Sequence, residues 1–178
     1  KGSLQVSGEH LNNNGFALLA GSGKIQLEAI QPCDAIIIID EPDSNSASLT
    51  DPVIISDCFA LDPFVPVIEG KPLHGFERRV LWLNEDTGAD TRLLKVPAGF
   101  KGGGPNWHPV NEEIFCISGD IQPDDSRPMS AGSYLYNPAR SIHGFNEKTD
   151  EGCILLEWHD GPWDITMAPG TEQPRRAS

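Results

Sequence analysis

Basic charge is scarce in this chain: Lys and Arg number 13 against 26 Asp and Glu, for a formal net charge of −13. Nucleic acids and anionic membranes select basic surfaces, so neither is expected as a partner. No apolar run approaches membrane-spanning length, and the N-terminus has no signal-peptide pattern. The four cysteines, Cys33, Cys58, Cys116 and Cys153, form no CxxC pair and no zinc-finger spacing. They are read as reduced thiols and the compartment as cytoplasmic, with Cys116 and Cys153 inside apolar strand-like runs. The glycine-rich Pro97–Pro105 lacks GK[ST] and no helix follows it, so it is not a phosphate loop. Serine and cysteine nucleophile motifs are missing as well. The chain does not begin with Met, and an upstream part is expected.

Turn formers are abundant instead. Gly (18) and Pro (15) argue for frequent turns and against a helical bundle, and no segment sustains a helical period. Arg78–Leu83 reads as a strand, Asn84–Gly88 as a hairpin turn and Thr91–Val96 as the returning strand. Further strands are expected at Glu113–Ile117, Ser133–Tyr136 and Cys153–Trp158. The fold class is therefore all-β.

The chemistry concentrates in Asn106–Gly119, N-W-H-P-V-N-E-E-I-F-C-I-S-G, together with His143. His108 and Glu112 stand four apart across a Pro109–Asn111 turn. Imidazole and carboxylate are ligands for divalent zinc, iron or manganese. A β-barrel can bring such distant positions together, because inward-facing residues on neighbouring strands meet inside it. Glu112 lies seven before Gly119; Gly132 lies six before Pro138, and His143 five beyond that proline.

These spacings resemble the two motifs of the cupin superfamily, a jelly-roll barrel also described as a double-stranded β-helix. His108 takes the place of the second His of the first motif, while Asn106 replaces its first. Arg140 replaces the Gly that follows the proline of the second motif. Thr87–Phe100 and Glu151–Leu156 are similar to one branch in particular. That branch holds the zinc-binding cupin domain of anti-sigma factors and the β-diketone-cleaving dioxygenases. The resemblance covers about residues 76–160 and implies one divalent metal ion held by His108, Glu112 and His143, with Asn106 as an auxiliary ligand. Strand alternation and the distance to Gly119 favour Glu112 over Glu113 as the carboxylate. Glu113 is expected either to orient a ligating His or to be solvated. Trp107, Tyr134, Tyr136 and Phe145 are candidates to line an apolar substrate pocket, against the alternative of ordinary barrel packing. His10 and His74 are expected in surface loops, and His159 on the rim.

A shift of 117 positions lays Gly2 on Gly119, Gly15 on Gly132, Ile25 on Ile142 and Ile36–Ile39 on Cys153–Leu156. Residues 1–43 therefore read as the closing half of a first cupin repeat in a two-cupin (bicupin) protein. That repeat has no metal site, since Gln26 falls at His143 and Gly21 at Pro138. Residues 44–72 read as a linker, 73–165 as the metal-binding cupin domain and 166–178 as a flexible tail.

Three functions fit these features. The first is a metal-dependent dioxygenase acting on a small carbonyl or phenolic compound. The second is a non-catalytic metal or ligand sensor related to anti-sigma-factor domains. The third is a degenerate, metal-free cupin. Half a barrel at residues 1–43 leaves strand edges to be covered, so a homodimer or docking on an upstream segment is expected.

Overall fold

The computed structural model describes residues 2–19, 25–38, 52–102, 104–124 and 128–168. Expectations placed on Gly21, Ile39, residues 44–51 of the linker and the C-terminal tail beyond 168 lie outside them. Contacts divide the chain into two compact units, 1–62 and 63–178. The second unit begins within the expected linker.

In the first unit β1 (Leu4–Val6) lies between β2 (Glu9–Leu11) and β4 (Leu27–Ala29), all antiparallel. β3 (Phe16–Leu18) pairs with β5 (Val53–Ile55), so a segment of the expected linker is a strand. A single 3₁₀ turn, Cys58–Ala60, follows and is capped by the Asp57 side chain. Ile36–Ile38, matched by the 117-residue shift to a strand, belongs to no strand and is exposed.

The second unit contains a β6–β7 hairpin (Val67–Ile68, Lys71–Pro72) and the long strands β8 (Glu77–Leu83) and β9 (Asp90–Val96). Then come β10 (Asn106–Trp107), β11 (Glu112–Ile121), β12 (Met129–Ser130), β13 (Tyr134–Asn137), β14 (Cys153–His159) and β15 (Thr166–Met167). The main sheet runs β12-β11-β14-β9-β8, with β13 also on β11, and every pairing is antiparallel. The β8–β9 turn is tied by Asn84, whose side-chain oxygen accepts from the Asp86 and Thr87 amides.

Register arranges the interior in rows. Glu112 of β11 faces His159 of β14, which faces Asp90 of β9. One pleat further, Ile114, Glu157 and Arg92 align; the next row is Cys116, Leu155 and Leu94. Since side chains alternate along a strand, all nine share one face. The first two rows are largely polar. The third joins a core of Phe76, Val96, Cys116, Ile121, Met129, Cys153 and Leu155. The interior thus has an apolar half that drives folding and a polar half that is buried with it.

Two motif glycines explain themselves. Gly119 and Gly132 both have positive φ, +76° and +91°, a conformation side-chain-bearing residues rarely adopt. At Gly119 a Cβ would also stand 2.0 Å from the Gly152 carbonyl oxygen, whereas at Gly132 it would meet nothing. Arg140, standing where the cupin pattern has glycine, takes φ +64° and accepts that strain.

Candidate metal centre

The Pro109–Asn111 turn delivers His108 onto the inner wall beside Glu112, the first residue of β11. His143 reaches the same place through a two-way backbone bridge with Asn106. The ligand atoms of His108, Glu112 and His143 lie within 4.8 Å of one another. His108 Nε2 is 3.0 Å from His143 Nε2 and 3.6 Å from Glu112 Oε1; His143 Nε2 is 3.7 Å from Glu112 Oε2.

The other ring nitrogens decide what these atoms can do. His108 Nδ1 lies 3.2 Å from the Asp164 carbonyl oxygen, and His143 Nδ1 lies 3.0 Å from that of Ser141. A carbonyl only accepts, so each Nδ1 carries the hydrogen and donates it. In the neutral rings both Nε2 atoms are then bare lone pairs. They face each other, and a carboxylate, with no hydrogen to share. Burial, moderated by Glu112, holds the His108 imidazole below its ordinary pKa and so favours this neutral form. Three acceptors converging on one point are unfavourable unless a cation occupies it. The donor set of two imidazoles and one carboxylate fits a divalent transition metal and leaves coordination positions open.

Glu112 is held in place by three donors. Its Oε1 accepts from His159 Nε2 (3.2 Å) and Trp163 Nε1 (3.1 Å), and its Oε2 from Asn137 Nδ2 (2.9 Å). Burial alone would raise the carboxyl's pKa. The hydrogen bonds from His159 and Asn137 and the nearby His108 instead hold it well below the usual carboxylate range. His159 is itself gripped by Asp90, with Nδ1 2.7 Å from Oδ1. Burial would lower its pKa; the bonds to Asp90 and Glu112 outweigh this and raise it, favouring an imidazolium that donates from both nitrogens. Behind it Arg92 pairs with Asp90 (3.2 Å) and Glu157 (3.1 Å). Trp163 stacks on His108 at 5.0 Å between ring centres.

Other expected site residues are distributed unequally. Asn106 sits beside His143, but its side-chain amide donates to Gly104 O at 3.4 Å and rests against Gly144. Trp107 is half-buried opposite Thr166, and Phe145 is buried. Tyr134 and Tyr136 do not face the interior: they are 55% and 47% exposed. The register sets them opposite Phe115 and Glu113, on the face away from Glu112. Glu113 accepts a hydrogen bond from the Tyr134 hydroxyl there and orients no ligating histidine. His159, expected on the rim, is buried with a fully covered side chain, because β14 continues to it and its parity is inward. His10 and His74 are exposed. Arg78, Arg92, Asp90, Glu157 and Trp163 were not among the expected site residues.

A family model for the ChrR cupin-like domain matches residues 63–161, more than half of the chain. The chain belongs to that cupin family. No curated protein matches this cupin significantly. Among solved structures it is similar to a protein of Nostoc punctiforme PCC 73102 provisionally assigned as a dioxygenase. Identity is 18% and the TM-score 0.72, over 95% of this chain and 64% of that one. The cupin thus spans less than two thirds of that protein's length. It is also similar to a provisionally assigned acetylacetone dioxygenase from Methylibium petroleiphilum PM1, with 14% identity and TM-score 0.52, over 75% of this chain and 89% of that one. A third likeness is to the polyketide cyclase RemF of Streptomyces resistomycificus, with 16% identity and TM-score 0.51, over 66% and 86%. At these identities the likeness establishes the fold alone. No helix among the described residues is long and apolar enough to cross a membrane.

One further carboxyl of the cupin interior titrates near neutrality. Burial first, then repulsion from Glu112 and Glu157, pushes Glu147 from its ordinary 4.5 up to about 7. A carboxyl raised on folding contributes stability that is present below its unfolded value and lost as pH rises through about 7. Glu147→Gln is therefore expected to raise stability by about 1–2 kcal/mol near pH 8 and to change it little near pH 5. Denaturant midpoints of both proteins at the two pH values test this; equal differences at both would contradict it.

Proposed function

We propose that this cupin is a metal-dependent enzyme of the dioxygenase type acting on a small carbonyl-containing or phenolic compound. The carrying observation is the convergence of two Nδ1-anchored imidazoles and the Glu112 carboxylate, the facial arrangement associated with oxygen-activating non-haem iron. A bound divalent metal supplies Lewis acidity at the open positions and, if iron, the capacity to activate dioxygen. The chain supplies the rest. Asp164 O and Ser141 O fix the two tautomers, and His159, Asn137 and Trp163 fix the carboxylate. His108 and Glu112 are almost fully buried while the His143 side chain keeps 21% exposure, so access is from the His143 side. Asn106, hydrogen-bonded through its backbone to His143, would meet a bound substrate by releasing its side-chain contact with Gly104 O. A second reading, a non-catalytic metal-binding sensor, is favoured by the family match itself.

We further propose that the first unit is the closing part of a second cupin repeat, and that the natural protein is a bicupin able to pair as a dimer. Four positions support the repeat. A Cβ on Gly2 would stand 2.2 Å from Pro32 O, as one on Gly119 would stand 2.0 Å from Gly152 O. Gln5 pairs with Glu28 as Gln122 bridges Lys148. Gly2 to Gly119 and Gln5 to Gln122 are each offset by 117 residues; Glu28 to Lys148 and Pro32 to Gly152 are each offset by 120. The repeat therefore carries a three-residue difference in length after β1, which a gapless comparison cannot accommodate. Cys33, not Ile36, then corresponds to Cys153.

Oxygen consumption by protein loaded with ferrous iron or with zinc, given acetylacetone or catechol, tests the enzyme reading. Uptake is expected with iron only, and to fall at least about 100-fold in Glu112→Gln. Metal binding without uptake on either compound would favour the sensor. For the repeat, Gly2→Ala and Gly119→Ala are each expected to cost roughly 2–4 kcal/mol, against about 1 kcal/mol for Gly132→Ala, where only φ strain acts. A neutral Gly2→Ala would contradict the shared geometry.

A further inference from the structure

Away from the three converging side chains, one buried donor has no hydrogen-bond partner. Arg78, on β8, is 8% exposed, yet its guanidinium makes no ion pair and no hydrogen bond with any described residue. Its Nε is the single buried side-chain nitrogen or oxygen among the described residues that lacks a hydrogen-bond partner. The guanidinium lies 4.4 Å from the centre of the Trp163 ring and 5.9 Å from that of Phe64. Burial, reinforced by Arg92 and opposed by Glu157, Asp90 and Glu112, lowers its pKa to about 10, so it remains charged at neutral pH.

Stacking of this kind satisfies the face of a guanidinium and leaves its edge untouched. The five N–H groups lie in the plane, and a buried donor such as Nε left unmet is costly. Arg92 shows the contrast: it stacks on the same indole at 4.4 Å, but its edge is filled by Asp90 and Glu157. The edge of Arg78 has room for a partner. Arg78 lines a hollow together with Val67, Ile68, Trp163 and Ile165. The lining is more polar than apolar, and its one planar cationic fork suits the carboxylate of a small organic acid. Glu69 and Asp164 also border the hollow, but both are exposed and their charges are screened by water.

We infer that the hollow under Trp163 is a binding site for a carboxylate-bearing small molecule, which Arg78 grips by its guanidinium edge. The site is separate from the open side of the metal centre. It adjoins that centre on the Nδ1 side of His108, through Trp163, which stacks on His108, and Asp164, whose carbonyl accepts the His108 hydrogen. An occupant there braces the segment that orients His108.

Isothermal titration of the full chain with isovalerate and with its neutral isostere isovaleramide tests the assignment, as purified and after chelator treatment. The acid is expected to bind roughly ten-fold or more tighter than the amide, as a charge-assisted forked pair warrants. The preference should survive chelation and disappear in Arg78→Met, whose thermal midpoint should equal or exceed that of the wild type because an unmet buried donor is removed. Should Arg78→Met fail to fold, Arg78→Lys keeps the charge without the fork and is expected to lose most of the preference. Equal affinity for acid and amide, or no measurable binding of either, would overturn the proposal. So would a preference that chelation abolishes and Arg78→Met keeps, which would place the carboxylate on the metal and leave the metal-centre reading intact.

Discussion

A charged carboxylate inside a barrel is tolerable only when its oxygens are met, and Glu112 is met three times. Its donors come from different parts of the chain: His159 at the end of β14, Asn137 at the end of β13, and Trp163 beyond the sheet. The bonds therefore tie β11 to both neighbouring strands at one level. A one-residue slip would turn Glu112 to the outer face and leave His159 and Asn137 pointing at nothing. The same carboxylate faces His108 and His143. Register, buried charge and the ligand set are thus one constraint.

Behind it lies a ladder of ionic contacts. Asp90, Arg92, Glu157 and His159 occupy adjacent positions on β9 and β14 and pair among themselves. Their effect on the metal side is positional: the His159 ring cannot rotate without breaking its bond to Asp90, and Glu112 follows it. The apolar half of the interior, from Phe76 to Leu155, supplies the burial that makes such a ladder affordable. Trp163 is the hinge between environments, in contact with His108, Arg92 and Arg78 at once.

Much of this could be read from the sequence. Turn residues and period-two runs located the β8–β9 hairpin, β11, β13 and β14 within a residue or a few at each end. Motif spacing picked out the three converging side chains, because such spacing encodes strand length and the positive-φ turns at Gly119 and Gly132. His159 escaped notice for a physical reason: the apolar run ends at Leu156, and the charged and polar residues after it look like a rim. Extending inward parity from Cys153 through Leu155 brings in Glu157 and then His159, so the signal existed. Tyr134 and Tyr136 are the reverse case. Their aromatic character suggested a pocket, but their side is set by pairing with Phe115 and Glu113, a long-range register. Trp163 lies in no strand, and nothing in its neighbours indicates that it turns back onto Glu112.

As proposed, His108, Glu112 and His143 form one cation site. Cobalt(II) titration of the metal-free protein, followed by visible absorption, measures it directly. One ion per chain is expected, with His108→Gln, Glu112→Gln and His143→Gln each weakening binding at least about 10–100-fold and Tyr136→Phe leaving it unchanged. Cobalt that does not bind, or that binds equally well to all three variants, would show that these residues do not form a cation site.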